Sequence, residues 1–104
     1  MSTAARQTVL SPQEYLALER AAEYKSEYLG GQIYAMTGAS RQHNRITVNL
    51  TRELGTQLRG RPCEPFAGDM RVKVGPAGAY LYPDLMVACG EPRFEDAELD
   101  TLLN

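Results

Sequence analysis

A chain of 104 residues, 43% hydrophobic and 23% charged, is long enough for one modest core and too short for two. Its net charge of −2 argues against a protein that coats nucleic acid indiscriminately. No apolar run reaches the length of a membrane span and no leader-like apolar segment opens the chain, so a cytoplasmic protein with no membrane partner is expected.

Residues 1–10 carry no pattern and are expected to form a flexible N-terminal arm ahead of a partial domain over 11–104. Ser11-Pro12-Gln13-Glu14 reads as a helix start: Ser11 caps, Pro12 takes the first helical position and Glu14 reaches back as the capping-box partner. The helix should run to about Ala22, with Tyr15, Leu18 and Ala22 on its packed face. Two short runs, 24–29 and 32–37, flank Gly30-Gly31, a pair that suits a type I′ turn and predicts a β-hairpin. Glu27 in its first strand either faces water or points toward a site formed elsewhere.

Gly38-Ala39-Ser40 ends the hairpin, and Ser40 can cap a long helix from Arg41 to about Gly60. At 100° per residue, Ile46, Leu50, Leu54 and Leu58 share one arc with His43 near its centre. Arg41, Arg45, Arg52 and Arg59 form a narrow stripe on the opposite side. Such a stripe suits nucleic-acid phosphates, which guanidinium groups match bidentately; the ordinary alternative is a solvated helix face. His43 reads either as a packing histidine or as a catalytic group at a helix N-terminus.

A short connection over 63–68 leads to two strand-like runs, 69–74 and 80–89, separated by Gly75-Pro76-Ala77-Gly78 and expected to form a second hairpin. Asp84 follows Pro83 and precedes Leu85-Met86-Val87-Ala88-Cys89, so it should stand at the mouth of a buried strand. A carboxylate there is costly unless it is paired, hydrogen-bonded or bound to a cation. Asp69 is either a second acid near that site or the group that holds the turn at Gly68. Cys63 and Cys89 lie far apart with no clustering, which argues against zinc, and a disulfide is not needed in a reducing compartment; both read as buried small hydrophobes. From Arg41 to Lys73 seven basic residues face three acids, and after Cys89 the balance reverses.

Taken in order, Glu27 to Tyr34, His43 to Leu50, Asp69 to Val74 and Tyr82-Pro83-Asp84-Leu85-Met86-Val87 form a set that resembles the Uma-two type of restriction endonucleases, a bacterial family of the PD-(D/E)XK nuclease superfamily. The resemblance implies an α+β, restriction-endonuclease-like core: an N-terminal helix and hairpin, a long helix, then a hairpin bearing the Pro-Asp motif. It implies a metal-dependent endonuclease acting on DNA, with Asp84 as a ligand to Mg²⁺ or Mn²⁺ and His43 nearby. Asp69 and Glu27 would be supporting acids, and Arg41, Arg45, Arg52 and Arg59 would meet nucleic acid. The family pattern continues with a strand bearing a second acid, often followed two residues later by lysine, which no residue after Cys89 supplies. The final core strands and the rest of the metal site are therefore expected outside this chain, with little or no cleavage by the chain itself. A catalytically dead nucleic-acid-binding or regulatory module is the alternative, and an uncovered strand edge would allow a homodimer.

Overall fold

The computed structural model describes residues 9–76 and 78–103, so most of the expected arm lies outside the described residues. Helix α1 (Pro12–Ala21) begins as its sequence requires: the Ser11 hydroxyl accepts from the Glu14 N–H at 3.1 Å, and the Glu14 carboxylate accepts from the Ser11 N–H at 2.8 Å. Both orphan donors at the helix entrance are satisfied locally, with Glu14 in the first turn and Arg20 in the last, where the helix dipole favours each sign. The packed face differs from the expected one. Tyr15 is buried as expected, but so is Leu16, while Leu18 is exposed; the packed stripe runs through Pro12, Tyr15, Leu16 and Glu19 at helical spacing.

Strands β1 (Ser26–Leu29) and β2 (Gln32–Ala35) pair antiparallel around Gly30 and Gly31, whose φ values of 60° and 81° are those a two-residue hairpin turn needs. At Gly31 an added Cβ would lie 2.5 Å from the Val9 side chain, so glycine also allows the preceding segment to pass closely. Leu10, at the end of the expected arm, is tied to that turn by its N–H donating to the Gly31 carbonyl at 2.9 Å. Strand β5 (Ala79–Leu81) joins the other edge of β1 with Tyr80 opposite Tyr28.

Three tyrosines make the core of this unit, which comprises residues up to 37 and 74–81. Tyr15, Tyr28 and Tyr80 have ring centroids 5.1, 5.2 and 5.8 Å apart in pairs, in stacked and tilted arrangements that aromatic quadrupoles favour. The buried Tyr15 hydroxyl donates to the Ser26 carbonyl and that of Tyr28 to the Leu10 carbonyl, so burial leaves these polar ends satisfied. Glu19 accepts the Ser26 N–H with both carboxylate oxygens, at 3.2 and 3.0 Å, and so fixes α1 to the start of β1.

The second unit, residues 38–73 and 82–104, holds helix α2 (Arg41–Gln57), strands β3 (Cys63–Ala67), β4 (Arg71–Val74, whose first three residues belong here), β6 (Leu85–Cys89) and β7 (Thr101–Leu102). Two strand assignments are corrected here. The segment 63–68 is not a mere connection: its residues 63–67 are a strand, which Pro65 disguises as a loop in sequence although a two-stranded ladder tolerates a residue without an N–H. The run 80–89 is not one strand, because Pro83 removes a donor and restricts Tyr82, and the chain divides into β5 and β6 around Tyr82-Pro83-Asp84. β6 pairs with β3 in antiparallel register from Cys63 opposite Cys89 to Ala67 opposite Leu85.

That register overturns the reading of the cysteines as buried small hydrophobes. Cys63 and Cys89 form a disulfide, with Cα atoms 3.9 Å apart at the end of the ladder; Cys63 is half-buried and Cys89 exposed. Their separation of 26 residues conceals the pairing until β3 is known to be a strand. The acidic segment after Cys89 also turns out to be structured, for β7 runs parallel to β4 with Thr101 opposite Arg71 and Leu102 opposite Val72, and Leu102 is fully buried.

Arg71 anchors this return. Its side chain is buried; Nε donates to the Thr101 hydroxyl at 2.8 Å and Nη1 to the Tyr82 hydroxyl at 2.9 Å. Nη2 forms an ion pair with Asp100 Oδ2 at 2.8 Å. Burial opposes the charge, yet the Tyr82 and Asp100 contacts outweigh it and raise the guanidinium pKa above its ordinary value. Lys73 meets Glu95 at 3.0 Å. The acids of the C-terminal segment thus neutralise the basic residues of β4.

Candidate functional site

Helix α2 brings one half of the site. The Ser40 hydroxyl accepts from the His43 N–H at 3.1 Å, which sets His43 in the first turn. The other half is the break at Tyr82-Pro83-Asp84, which places Asp84 immediately before β6. His43 Nε2 and Asp84 Oδ2 lie 3.1 Å apart, with the two side chains 43% and 64% exposed. Forty-one residues apart in sequence, they meet because α2 packs on β3 and β3 pairs with β6.

The exposure of Asp84 corrects the expectation of a carboxylate at the mouth of a buried strand. Solvent reaches it, so desolvation does not explain its presence, and a contact this exposed contributes little to stability. An open carboxylate beside an imidazole can bind a hard cation through oxygen and hold or pass a proton at the imidazole nitrogen. Asp69 is exposed in the turn that the Met70 N–H closes onto the Ala67 carbonyl at 3.1 Å, just before β4. Glu27 lies in the other unit, on β1 opposite Tyr34. Among the described residues no group of three or more His, Cys, Asp or Glu side chains is placed to hold a metal ion.

The face that α2 packs is not the expected one either. Ile46 and Leu50 are 60% and 50% exposed, and the half-buried residues are Thr47, Thr51, Leu54, Gly55 and Leu58, a face turned by about 60° on the helical wheel. Thr47, Thr51 and Thr56 donate their hydroxyls to the carbonyls four residues back, His43, Thr47 and Arg52, which makes such residues compatible with a helix packed on one side. Arg41, Arg45 and Arg52 are exposed on the helix, whereas Arg59 lies beyond its end, past the cap at Leu58, and does not continue the stripe. Arg52 Nε is 3.6 Å from the adjacent Glu53 carboxylate. Arg41, Asn44, Arg45, Val48 and Asn49 line a shallow groove of about 600 Å³.

This order of elements, with the long helix carrying His43 and the strand opening Pro83-Asp84, is that of a recognisable family. The family model described as "Putative restriction endonuclease", Uma2, matches residues 12–102. The chain belongs to the Uma2 family. An uncharacterized protein of Synechocystis sp. is 42% identical over 96 residues, 92% of this chain and 54% of its own length. A second from the same organism is 40% identical over 84 residues, covering 81% of this chain and 44% of its own. This Uma2 chain therefore spans about half the length of the curated relatives it matches. Its fold resembles the crystal structure of a "putative nuclease belonging to DUF820" from Anabaena variabilis, with a TM-score of 0.69 at 22% identity, over 91% of this chain and 51% of that one. The α+β fold expected from the sequence is thus that of the family. No helix among the described residues is long and apolar enough to cross a membrane.

Proposed function

We propose that this Uma2 chain carries part of a metal-dependent endonuclease that hydrolyses DNA phosphodiesters, with Asp84 as a ligand to Mg²⁺ or Mn²⁺. The observation that carries the reading is the 3.1 Å approach of His43 to Asp84 at an open, solvent-reached position where helix and Pro-Asp strand meet. His43 steadies the carboxylate and offers a nitrogen for proton transfer, and Arg41, Arg45 and Arg52 meet the nucleic acid. A bound divalent cation would supply an activated water and neutralise charge on the phosphate.

The described residues fit only part of such a site. A hard cation takes about six oxygen ligands, and here Asp84 brings one carboxylate with no third metal-ligating side chain grouped beside it. The expected result is weak binding without turnover: Mn²⁺ broadens the amide resonances of Asp84 and Leu85, the broadening disappears in Asp84→Asn, and supercoiled DNA is nicked little or not at all by the 104-residue chain. Broadening that survives Asp84→Asn would remove Asp84 as the ligand. Asp69→Asn and Glu27→Gln, carried through the same titration, test the two supporting acids.

The lack of a three-ligand cluster among the described residues favours a second reading, a catalytically dead nucleic-acid-binding or regulatory module. It predicts DNA affinity indifferent both to Mn²⁺ and to Asp84→Asn.

A further inference from the structure

Helix α2 has a solvent face that helix stability does not explain. Its single carboxylate is Glu53 and it has no lysine, so the alternating Glu and Lys pairs that support an exposed helix are missing. No acid stands in its first turn and no base in its last, while Arg41 and Arg45 sit at the end where the dipole is positive. A helix tuned only for its own stability would reverse that order. Val48 is 62% exposed among these arginines.

We propose that α2 is a base-reading helix: Arg41, Asn44, Arg45 and Val48 enter the major groove of double-stranded DNA and give this chain a sequence preference. This rests on the nuclease reading only for its DNA substrate. The four residues stand at i, i+3, i+4 and i+7, the spacing that puts successive side chains along one edge of a helix, and with Asn49 they line one continuous groove. The residue types are those that base edges recognise: Arg donates two hydrogen bonds to guanine O6 and N7, Asn both donates to and accepts from adenine, and an aliphatic group meets the thymine methyl. Arg52, one turn further on, is placed for phosphate.

The dimensions agree. A helix of 17 residues is about 25 Å long and, with side chains, ~10–12 Å wide, and the major groove of B-DNA is ~12 Å across. The packed face of α2, through Thr47, Thr51, Leu54 and Leu58, is centred about 100° away on the helical wheel, and none of the helix residues is buried. Duplex RNA does not fit, because its major groove is too narrow for side chains to read.

The test is selection by the 104-residue chain from a pool of duplexes with a randomised centre, followed by anisotropy titrations of the selected and a shuffled duplex at several salt concentrations. The selected duplex should bind about tenfold or more tightly. Asn44→Ala and Arg45→Ala should each erase the preference at one base position, with helicity by circular dichroism unchanged. Arg52→Ala should weaken both duplexes alike and lower the salt slope by about one. Salt-dependent binding with no enrichment overturns the base-reading role and leaves the nuclease reading standing. Failure to bind duplex DNA at any salt, or preference for single strands, RNA or an acidic protein, overturns base reading together with the DNA substrate. The Mn²⁺ titration at Asp84 is scored separately from both.

Discussion

The two helices of this chain are both entered through a serine cap and yet are built to different ends. In α1 every local feature favours the helix itself: a complete capping box, Pro12 at the first position, Glu14 in the first turn, Arg20 in the last, and Tyr15 and Leu16 buried. In α2 the cap is present but the charges run against the dipole, no residue is buried, and Ile46 and Leu50 face solvent. The first holds a core together; the second displays side chains. The arginines divide in the same way, since Arg71 is buried against Tyr82, Thr101 and Asp100 while Arg41, Arg45 and Arg52 stand exposed. Residue type alone does not assign a role, and what distinguishes these arginines is whether acids and hydroxyls surround them.

The largest effect should come from deleting a ring of the tyrosine core. Tyr15→Ala is expected to cost ~3–5 kcal/mol by chemical denaturation, whereas Leu50→Ala, at an exposed position of α2, should stay within about 0.5 kcal/mol. Equal losses would break the contrast, because they would mean that Leu50 is covered in solution, as in a homodimer; sedimentation at several concentrations would then show the dimer.

Next in size is the disulfide. Reducing Cys63–Cys89, or replacing both residues with serine, should lower stability by roughly 2–4 kcal/mol, as expected for a crosslink closing a loop of intermediate length. The displaced elements should be those of the α2 unit: hydrogen exchange should speed up at β3 and β6 and remain slow around Tyr28 and Tyr80. Faster exchange throughout would show that the two units do not differ in this respect.

The smallest effect sharpens the comparison at the caps. Ser11→Ala removes a hydroxyl that works with Glu14 and should cost ~1–2 kcal/mol, while Ser40→Ala, lacking an acidic partner three residues on, should cost about 0.5–1 kcal/mol. Thermal melts of the two variants measure the difference, and a larger loss at Ser40 would place α2, not α1, as the helix more dependent on local capping.

What could be read from the sequence was whatever is decided within a few residues. The capped start of α1, the Gly30-Gly31 turn and the start of α2 follow from hydrogen bonds and backbone angles that the local residues impose, and the ordered set of short motifs was enough to point to the family. His43 and Asp84 could be singled out by their odd positions, but not their 3.1 Å approach. That approach, the disulfide, the strand hidden by Pro65, the burial of Arg71 and the turn of α2 away from Ile46 and Leu50 were decided by tertiary structure alone. The physical reason is common to all of them. Each depends on which strand lies beside which and in what register, and β3 meets β6, or β4 meets β7, across long stretches of chain whose pairing no local propensity encodes.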